Sequence, residues 1–235
     1  MEKTRLSRTT LAMLQQFDSP TISNSIEHFE VRDPVTGYAN MELKCQFPEQ
    51  KPMVGYAVTC TADTTTAGCK RRMRLDKLLD IVNEAPKPLV LVVKFVGPDR
   101  KRSCFAGDMF CTAMQRLGVV GLVTDMGNRD LRQINKRTPE FHVFCPGTVV
   151  SHGHGYFIDF NVTVSVCGMT IRPGDLLHGD ASGLVSVPLD IAEAVAAQAA
   201  STRQAEADYF DFLENNFSFE ELKKRLGRAT DQERT

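Results

Sequence analysis

Two short apolar runs, Pro88 to Phe95 (PLVLVVKF) and Val119 to Thr124 (VVGLVT), most constrain what this chain can fold into. Each is too short for a globular helix of ordinary length and rich in β-branched residues, so each reads as a strand buried on both faces. Between them, Met109/Phe110, Ala113/Met114 and Leu117 recur at helical spacing, with Gly107 before and Gly118 after. That pattern predicts an amphipathic helix over Asp108 to Leu117 with Asp108 at its N-terminus. Strand, helix and strand make a right-handed crossover with parallel strands. The loop entering the helix and the loop leaving the second strand then share the carboxyl edge of the sheet, where open α/β sheets bind ligands.

That placement gives meaning to Asp108, followed after a gap of twenty residues by the pair Arg129-Asp130. Backbone N–H groups around Gly107 to Phe110 would be unpaired at the positive end of a helix, which suits a substrate carboxylate. Arg129 offers a guanidinium fork for a carboxylate or enolate oxygen. Asp130 and Asp108 offer hard oxygens suited to Mg²⁺ or Mn²⁺ with several waters retained. Taken singly, an Asp at a helix N-cap and an adjacent Arg-Asp pair are commonplace. The spacing and the shared sheet edge are what point to a site for a 2-oxo acid and its enolate.

The segments GDMFCTAMQRLGVVGLVTDMGNRDLRQI, FHVFCPGTVVSHG and VTVSVCGMTIRPGDLLHGDASGLVSVP resemble the RraA-like family, from about Thr21 to about Ala200. That family includes 4-hydroxy-4-methyl-2-oxoglutarate aldolases, oxaloacetate decarboxylases and the regulator of ribonuclease activity A. The resemblance implies an α/β fold, a layered swivelling β/β/α domain with peripheral N- and C-terminal helices, assembling as trimers or hexamers. Asp108, Arg129 and Asp130 match the D-x20-R-D signature of the aldolase branch. By resemblance, Gly107, Asp108, Met109 and Phe110 line the substrate carboxylate and Arg129 holds the keto or enolate oxygen. Asp130 carries the divalent metal, Mg²⁺ or Mn²⁺, and Asp108 reaches the metal or its water. An acidic residue from a neighbouring subunit completes the site in some relatives, with Glu206 the candidate here.

The chain departs from the family pattern at Asp125-Met126-Gly127-Asn128, before the Arg, and at Arg102, Ser103 and Cys104, where smaller residues are common. Both changes reshape the pocket wall and leave substrate preference open. The activity implied is a metal-dependent carbon–carbon lyase on a small 2-oxo acid, by retro-aldol cleavage or decarboxylation. The alternative is a non-catalytic regulator that binds a protein partner such as a ribonuclease.

Other chemistry is weaker. Lys94, inside an apolar strand, raises a Schiff-base route, although snorkelling at the strand end explains it. His152-Gly153-His154 lacks a third zinc ligand and reads as loop histidines near a sheet edge. Hydrogen bonding in a β-turn accounts for His178 and Asp180. Cys104 and Cys111 bracket the helix start without an adjacent base and read as packing residues.

With 235 residues, 42% of them hydrophobic, one sizeable core suffices, so one domain over 1–235 is expected, its core about 21–200 and a helical extension about 201–235. A net charge of -1 gives no pull toward nucleic acid or anionic membrane. Seven cysteines without paired CxxC spacing suit free thiols, and no targeting or spanning segment is read, so a soluble cytoplasmic protein is expected. Two short helices are expected over Arg5 to Phe17 and Thr21 to Phe29, a strand over Val54 to Thr61, and a helix over Ala67 to Val82 whose wet face carries Lys70, Arg71, Arg72 and Arg74. Strand segments follow from Val162 to Val187. Helices over Leu189 to Leu213 and Phe217 to Leu226 precede a polar, disordered end.

Overall fold

The computed structural model of the chain describes residues 5–70 and 72–232. In chain order the elements are α1 (Arg8–Leu14), α2 (Ser19–Glu27), β1 (Lys44–Cys45), β2 (Met53–Asp63), α3 (Leu75–Glu84), β3 (Leu89–Phe95), α4 (Asp108–Arg116), β4 (Val119–Thr124), α5 (Leu131–Arg137), β5 (His142–Cys145), β6 (Tyr156–Phe160), β7 (Val164–Val166), β8 (Met169–Ile171), β9 (Leu176–Asp180), β10 (Gly183–Val187), α6 (Ala192–Asn215) and α7 (Phe219–Gln232). Strands β2, β3, β4 and β5 run parallel through three successive helical crossovers. Antiparallel β9 and β10 extend the sheet beyond β2, and β6 pairs with the far half of the same β2 edge.

The two-faced burial expected of the apolar runs is what builds the layers. Leu89, Leu91, Val93 and Phe95 point into a core shared with Leu78, Val82, Cys111, Met114 and Ile134 of the helices. Val90 and Val92 point the other way, against Val164, Val166, Met169 and Ile171 of the β7–β8 hairpin. The main sheet is therefore the middle of three layers, hairpin, sheet and helices, in agreement with the layered α/β fold expected. Each such valine or leucine contributes about 1.5–3 kcal/mol by leaving water.

Helix α4 starts at Asp108 as expected, with Gly107 extended at the cap, and stops at Arg116, where Gly118 donates back to Gln115 O. The terminal helices lie beside the sheet. Helix α2 starts at Ser19, two residues before the expected Thr21, because Asp18 caps it: its Oδ1 accepts from Thr21 N at 2.8 Å. Leu14 and Ile22 are fully buried with Val195 and Ala199 of α6.

Three expectations need correction. The helix foreseen over 67–82 begins only at Leu75, because Met73 is drawn into an extended bridge to Phe157, its N–H 2.7 Å from Phe157 O. Lys70, Arg72 and Arg74 thus lie on an irregular strap ahead of the helix rather than on its wet face, while Arg71 lies outside the described residues. The chain end foreseen as disordered continues helical to Gln232, and residues 233–235 lie outside the described residues. Strands β5 and β6 and helix α5 were not foreseen. Four residues of β5, the broken polarity of YFIDF and the polar LRQINKR carry too little periodicity.

Candidate active site

Backbone hydrogen bonds, not side chains, bring the sheet-edge residues together. The segment after β3 and the segment after β4 run alongside one another: Ser103 O accepts from Gly127 N at 3.0 Å, Gly127 O from Phe105 N at 3.1 Å, and Ala106 O from Arg129 N at 3.1 Å. Asn128 Oδ1 adds a bond from Ala106 N at 3.0 Å, and Asn128 N donates to Gly147 O, tying in the loop after β5. Arg129 and Asp130 are thereby held against the start of α4. The approach is so close that a Cβ on Gly107 would stand 2.5 Å from Asp130 Oδ2 and 3.0 Å from Arg129 Nε. Asp130 itself takes a left-handed backbone at φ 60° as the N-cap of α5, a conformation Asp tolerates better than most residues.

A cavity of about 250 Å³ opens at this point. Gly107, Asp108, Met109, Phe110 and Arg129 line one side of it, so five of the six predicted site residues share its wall. The sixth, Asp130, stands just behind, its Oδ2 3.4 Å from Arg129 Nε. That contact is an ion pair in a geometry that makes no hydrogen bond. Arg129 Nε is buried and has no hydrogen-bond partner among the described residues. A desolvated, unpartnered guanidinium N–H is costly in a site that binds nothing and useful in one that binds an anion. Asp108 is more fully engaged, its Oδ2 3.1 Å from Arg137 Nε and its Oδ1 accepting from Met109 N at 2.8 Å.

Among the described residues no group of three or more His, Cys, Asp or Glu is placed to hold a metal ion. The donor set still fits Mg²⁺ or Mn²⁺, because such ions keep several waters and need only one or two protein carboxylates plus substrate oxygens. Asp130, about one-third exposed and without a backbone partner for its carboxylate, is the residue with an oxygen to give. Glu206 is exposed on α6 and is not among the residues lining the cavity.

Of the rest of the cavity the sequence singled out only His152, as a loop histidine near a sheet edge. Phe105 packs edge-on against Phe110 and Phe157, at 5.3 and 5.7 Å between ring centres, making an apolar wall with Ala62 and Leu75. Thr64, His152, Gly155 and Tyr156 complete it. His152 sits on a loop anchored to the end of β2, where His154 N donates to Thr64 O at 2.9 Å. Gly153 is required there, since φ is +60° and a Cβ would come 2.0 Å from Thr64 O.

The remaining candidates resolve as structure. Lys94 does not snorkel: its Nζ lies 2.6 Å from Asp125 Oδ2, while Asp125 Oδ1 accepts from Phe95 N at 2.8 Å. His178 bonds across the molecule rather than within a turn, its Nδ1 2.9 Å from Ser19 Oγ and its Nε2 3.1 Å from Leu14 O. Asp180 does hold its own turn through Ser182 N at 2.8 Å, and also accepts from Ser19 N at 2.7 Å. Cys104 and Cys111 are buried packing residues. Burial raises both thiols, Cys111 to about 12 with the Asp108 charge adding to the effect.

Fold and site together define a layered α/β protein with a cavity at the carboxyl edge of its parallel strands, lined by the start of α4 and Arg129. The chain belongs to the RraA-like family, described as Aldolase/RraA, which matches residues 20–186. It is 37% identical over 112 residues to a Halalkalibacterium halodurans protein named "Putative 4-hydroxy-4-methyl-2-oxoglutarate aldolase", covering 46% of this chain and 52% of that one. The chain spans about half the length, or less, of the curated relatives it matches. Among solved structures it is similar to an uncharacterized protein from Pseudomonas syringae pv. tomato, with a TM-score of 0.73 at 20% identity, covering 96% of this chain and 97% of that one. It is also similar to Streptomyces coelicolor RraAS2, described as an unusual member of the RNase ES inhibitor RraA family, with a TM-score of 0.66 at 22% identity and coverage of 88% and 98%. No described helix is long and apolar enough to cross a membrane.

Proposed function

We propose that the protein is a divalent-metal-dependent carbon–carbon lyase, cleaving a 2-oxo acid by retro-aldol reaction or decarboxylation through a pyruvate-type enolate. The observation that carries this reading is Arg129 lining one cavity with the start of α4, its Nε buried without a hydrogen-bond partner and the Asp130 carboxylate just behind it. The aldolase relative supports the reaction class.

In this reading the N–H groups at the start of α4 that stay unpaired, Met109 N being held by Asp108 Oδ1, bind the substrate carboxylate, since they lie at the positive end of the helix. Arg129 holds the 2-oxo oxygen and receives negative charge as it develops, and a donor fixed in advance stabilises that charge without reorganising. Mg²⁺ or Mn²⁺ held at Asp130 would supply Lewis-acid polarisation of the same oxygen. Phe105, Phe110 and Phe157 keep bulk water from the carbanion. For a 4-hydroxy substrate, a water oriented by Asp130 or Asp108 takes the hydroxyl proton and the C3–C4 bond breaks. The electron pair passes to C3 as the enolate, the cleaved fragment leaves as a ketone, and the proton returns to C3 to give pyruvate. Oxaloacetate reaches the same enolate by losing CO2. Assembly as a trimer or hexamer belongs to the same proposal and is read by light scattering.

The test is pyruvate release from 4-hydroxy-4-methyl-2-oxoglutarate and from oxaloacetate, with Mg²⁺, with chelator, and with Arg129→Ala, after subtracting metal-only decarboxylation. Chelator should abolish release, and Arg129→Ala should cost about 2.7–4 kcal/mol of barrier, roughly 10²–10³ in turnover. A variant that keeps most of its turnover removes Arg129 from the mechanism. No release from either substrate would favour the non-catalytic regulator, whose partner would be another protein.

A further inference from the structure

In the reading above both cleavages end on an enolate that must take a proton at C3, a carbon that Phe105, Phe110 and Phe157 keep from bulk water. The proton then has to come from a group on the cavity wall. The titratable lining residues are Asp108, Arg129, His152 and Tyr156. Asp108 is already held by Arg137 Nε at 3.1 Å and by Met109 N at 2.8 Å. Guanidinium and phenol groups ordinarily keep their protons through neutral pH, whereas imidazole both gives and takes one between about pH 5 and 8. His152 is the one histidine in the lining, and it is also exposed, so it meets both the cavity and solvent. Its place is set by Thr64, a buried residue just past the end of β2. Thr64 O accepts from His154 N at 2.9 Å and would stand 2.0 Å from a Cβ on Gly153, so the turn after His152 lies directly on it. Thr64 Oγ1 accepts from Cys104 N at 3.3 Å, in the segment whose backbone holds Gly127 and Arg129. One residue thus fastens both the imidazole loop and the ladder that carries the guanidinium. At about 250 Å³ the cavity falls below the usual range of small-molecule pockets, so the groups on its wall surround the same few ligand atoms.

We propose that His152 is a catalytic acid–base residue that carries the proton between solvent and C3 of the pyruvate enolate. The inference rests on the lyase reading and supplies the donor for a step which that reading leaves without one. As imidazolium, the ring gives its N–H proton to C3: the enolate C=C electron pair forms the new C–H bond and the N–H pair stays on the ring. The neutral imidazole then regains a proton from water at its exposed side. In cleavage of a 4-hydroxy substrate this proton replaces the one lost from the hydroxyl, and in decarboxylation it is drawn from solvent. Run backwards, the neutral ring takes a proton from the methyl group of bound pyruvate. Arg129 meanwhile keeps the charge on the enolate oxygen, so the guanidinium and the imidazole act on different atoms of one intermediate.

Exchange of the pyruvate methyl protons for deuterium, followed by NMR in D2O with Mg²⁺, reads this step without any carbon–carbon cleavage. Wild type should exchange, and its rate should fall as pH is lowered from about 8 to 5, where the ring becomes protonated and can no longer take the proton. His152→Gln should exchange about 10²-fold more slowly and lack that pH limb, while its calorimetric affinity for pyruvate stays within about twofold of wild type. A variant that exchanges at the wild-type rate, or one that loses exchange and pyruvate affinity together, overturns the role of His152 and leaves the lyase reading standing. The wild-type protein tests the role without the variant: pyruvate release from oxaloacetate with no methyl exchange, or exchange with no limb in that pH range, overturns it as well. A wild type that neither exchanges nor releases pyruvate overturns both.

Discussion

Two polar clusters in this molecule use the same kinds of residue to opposite ends. Around β9, His178 and Asp180 are buried and every oxygen and ring nitrogen has a partner: Ser19 and Leu14 for the imidazole, Ser19 and Ser182 for the carboxylate. At the other cluster, Arg129 Nε is buried without a hydrogen bond, and Asp130 meets Arg129 only at 3.4 Å. A satisfied polar network fastens α2 to the sheet. An unsatisfied one carries the cost of a buried donor left without a partner, and on the proposed reading substrate binding offsets that cost. Residue type therefore says less about role than the accounting of partners does.

The Lys94–Asp125 pair sharpens this contrast, because it lies at the end of β3 close to the site and yet is fully paired. Lys94→Met would leave Asp125, 2% exposed, without its cation, and should cost about 3 kcal/mol of unfolding free energy, the low end for a buried pair because Lys94 is 32% exposed. Urea unfolding measures it. Borohydride with pyruvate should leave the mass of the wild-type protein unchanged, since this amine is committed to a carboxylate; a trapped adduct would move Lys94 to the catalytic side of the comparison. Gly107→Ala tests the other pole. The backbone there is extended and accepts alanine, so stability should change by less than about 1 kcal/mol. Turnover should fall about 10²-fold as the new methyl displaces Asp130 and Arg129, and steady-state kinetics on a folded variant would show it.

Asp180→Ala should do the reverse. Stripping Ser19 N and Ser182 N of their acceptor should cost about 1–3 kcal/mol in denaturant titration while kcat of the folded fraction stays near wild type. The smallest effect is on pH. Burial lowers the pKa of His178, and burial likewise lowers that of His142, so the folded protein binds their protons less readily than the unfolded chain does. Their contribution to stability is present above the ordinary imidazole pKa near 6.5 and is lost as pH falls below it, by at most about 1.4 kcal/mol per pH unit for each histidine. Urea midpoints compared at pH 7.5 and 5.5 should show a drop; a rise would reverse the assignment of His178 as a buried neutral group.

The sequence made the crossover unit legible because its strands are apolar on both faces and its helix is periodic and bounded by glycines. From that unit alone, Asp108 and Arg129-Asp130 fall on one edge, whatever surrounds them. Tyr156 and Phe157 stayed hidden, and His152 was read only as a loop histidine near a sheet edge, because their arrival depends on antiparallel pairing of β6 with β2, a contact between distant segments with no local signature. The strap at Arg72 was misread for a related reason: its conformation is set by Phe157, not by its own residues.

The backbone ladder between 103–106 and 127–129 has a consequence for how such a protein diversifies. Ladder bonds are made by backbone groups, so exchanging the Phe105 side chain, which lines the cavity, leaves Arg129 and Asp130 in register against α4 while the wall beside them changes. On the proposed reading, the residues that would react and the residues that shape the wall are held by different interactions, so the wall can vary by point mutation while the register of the site is kept.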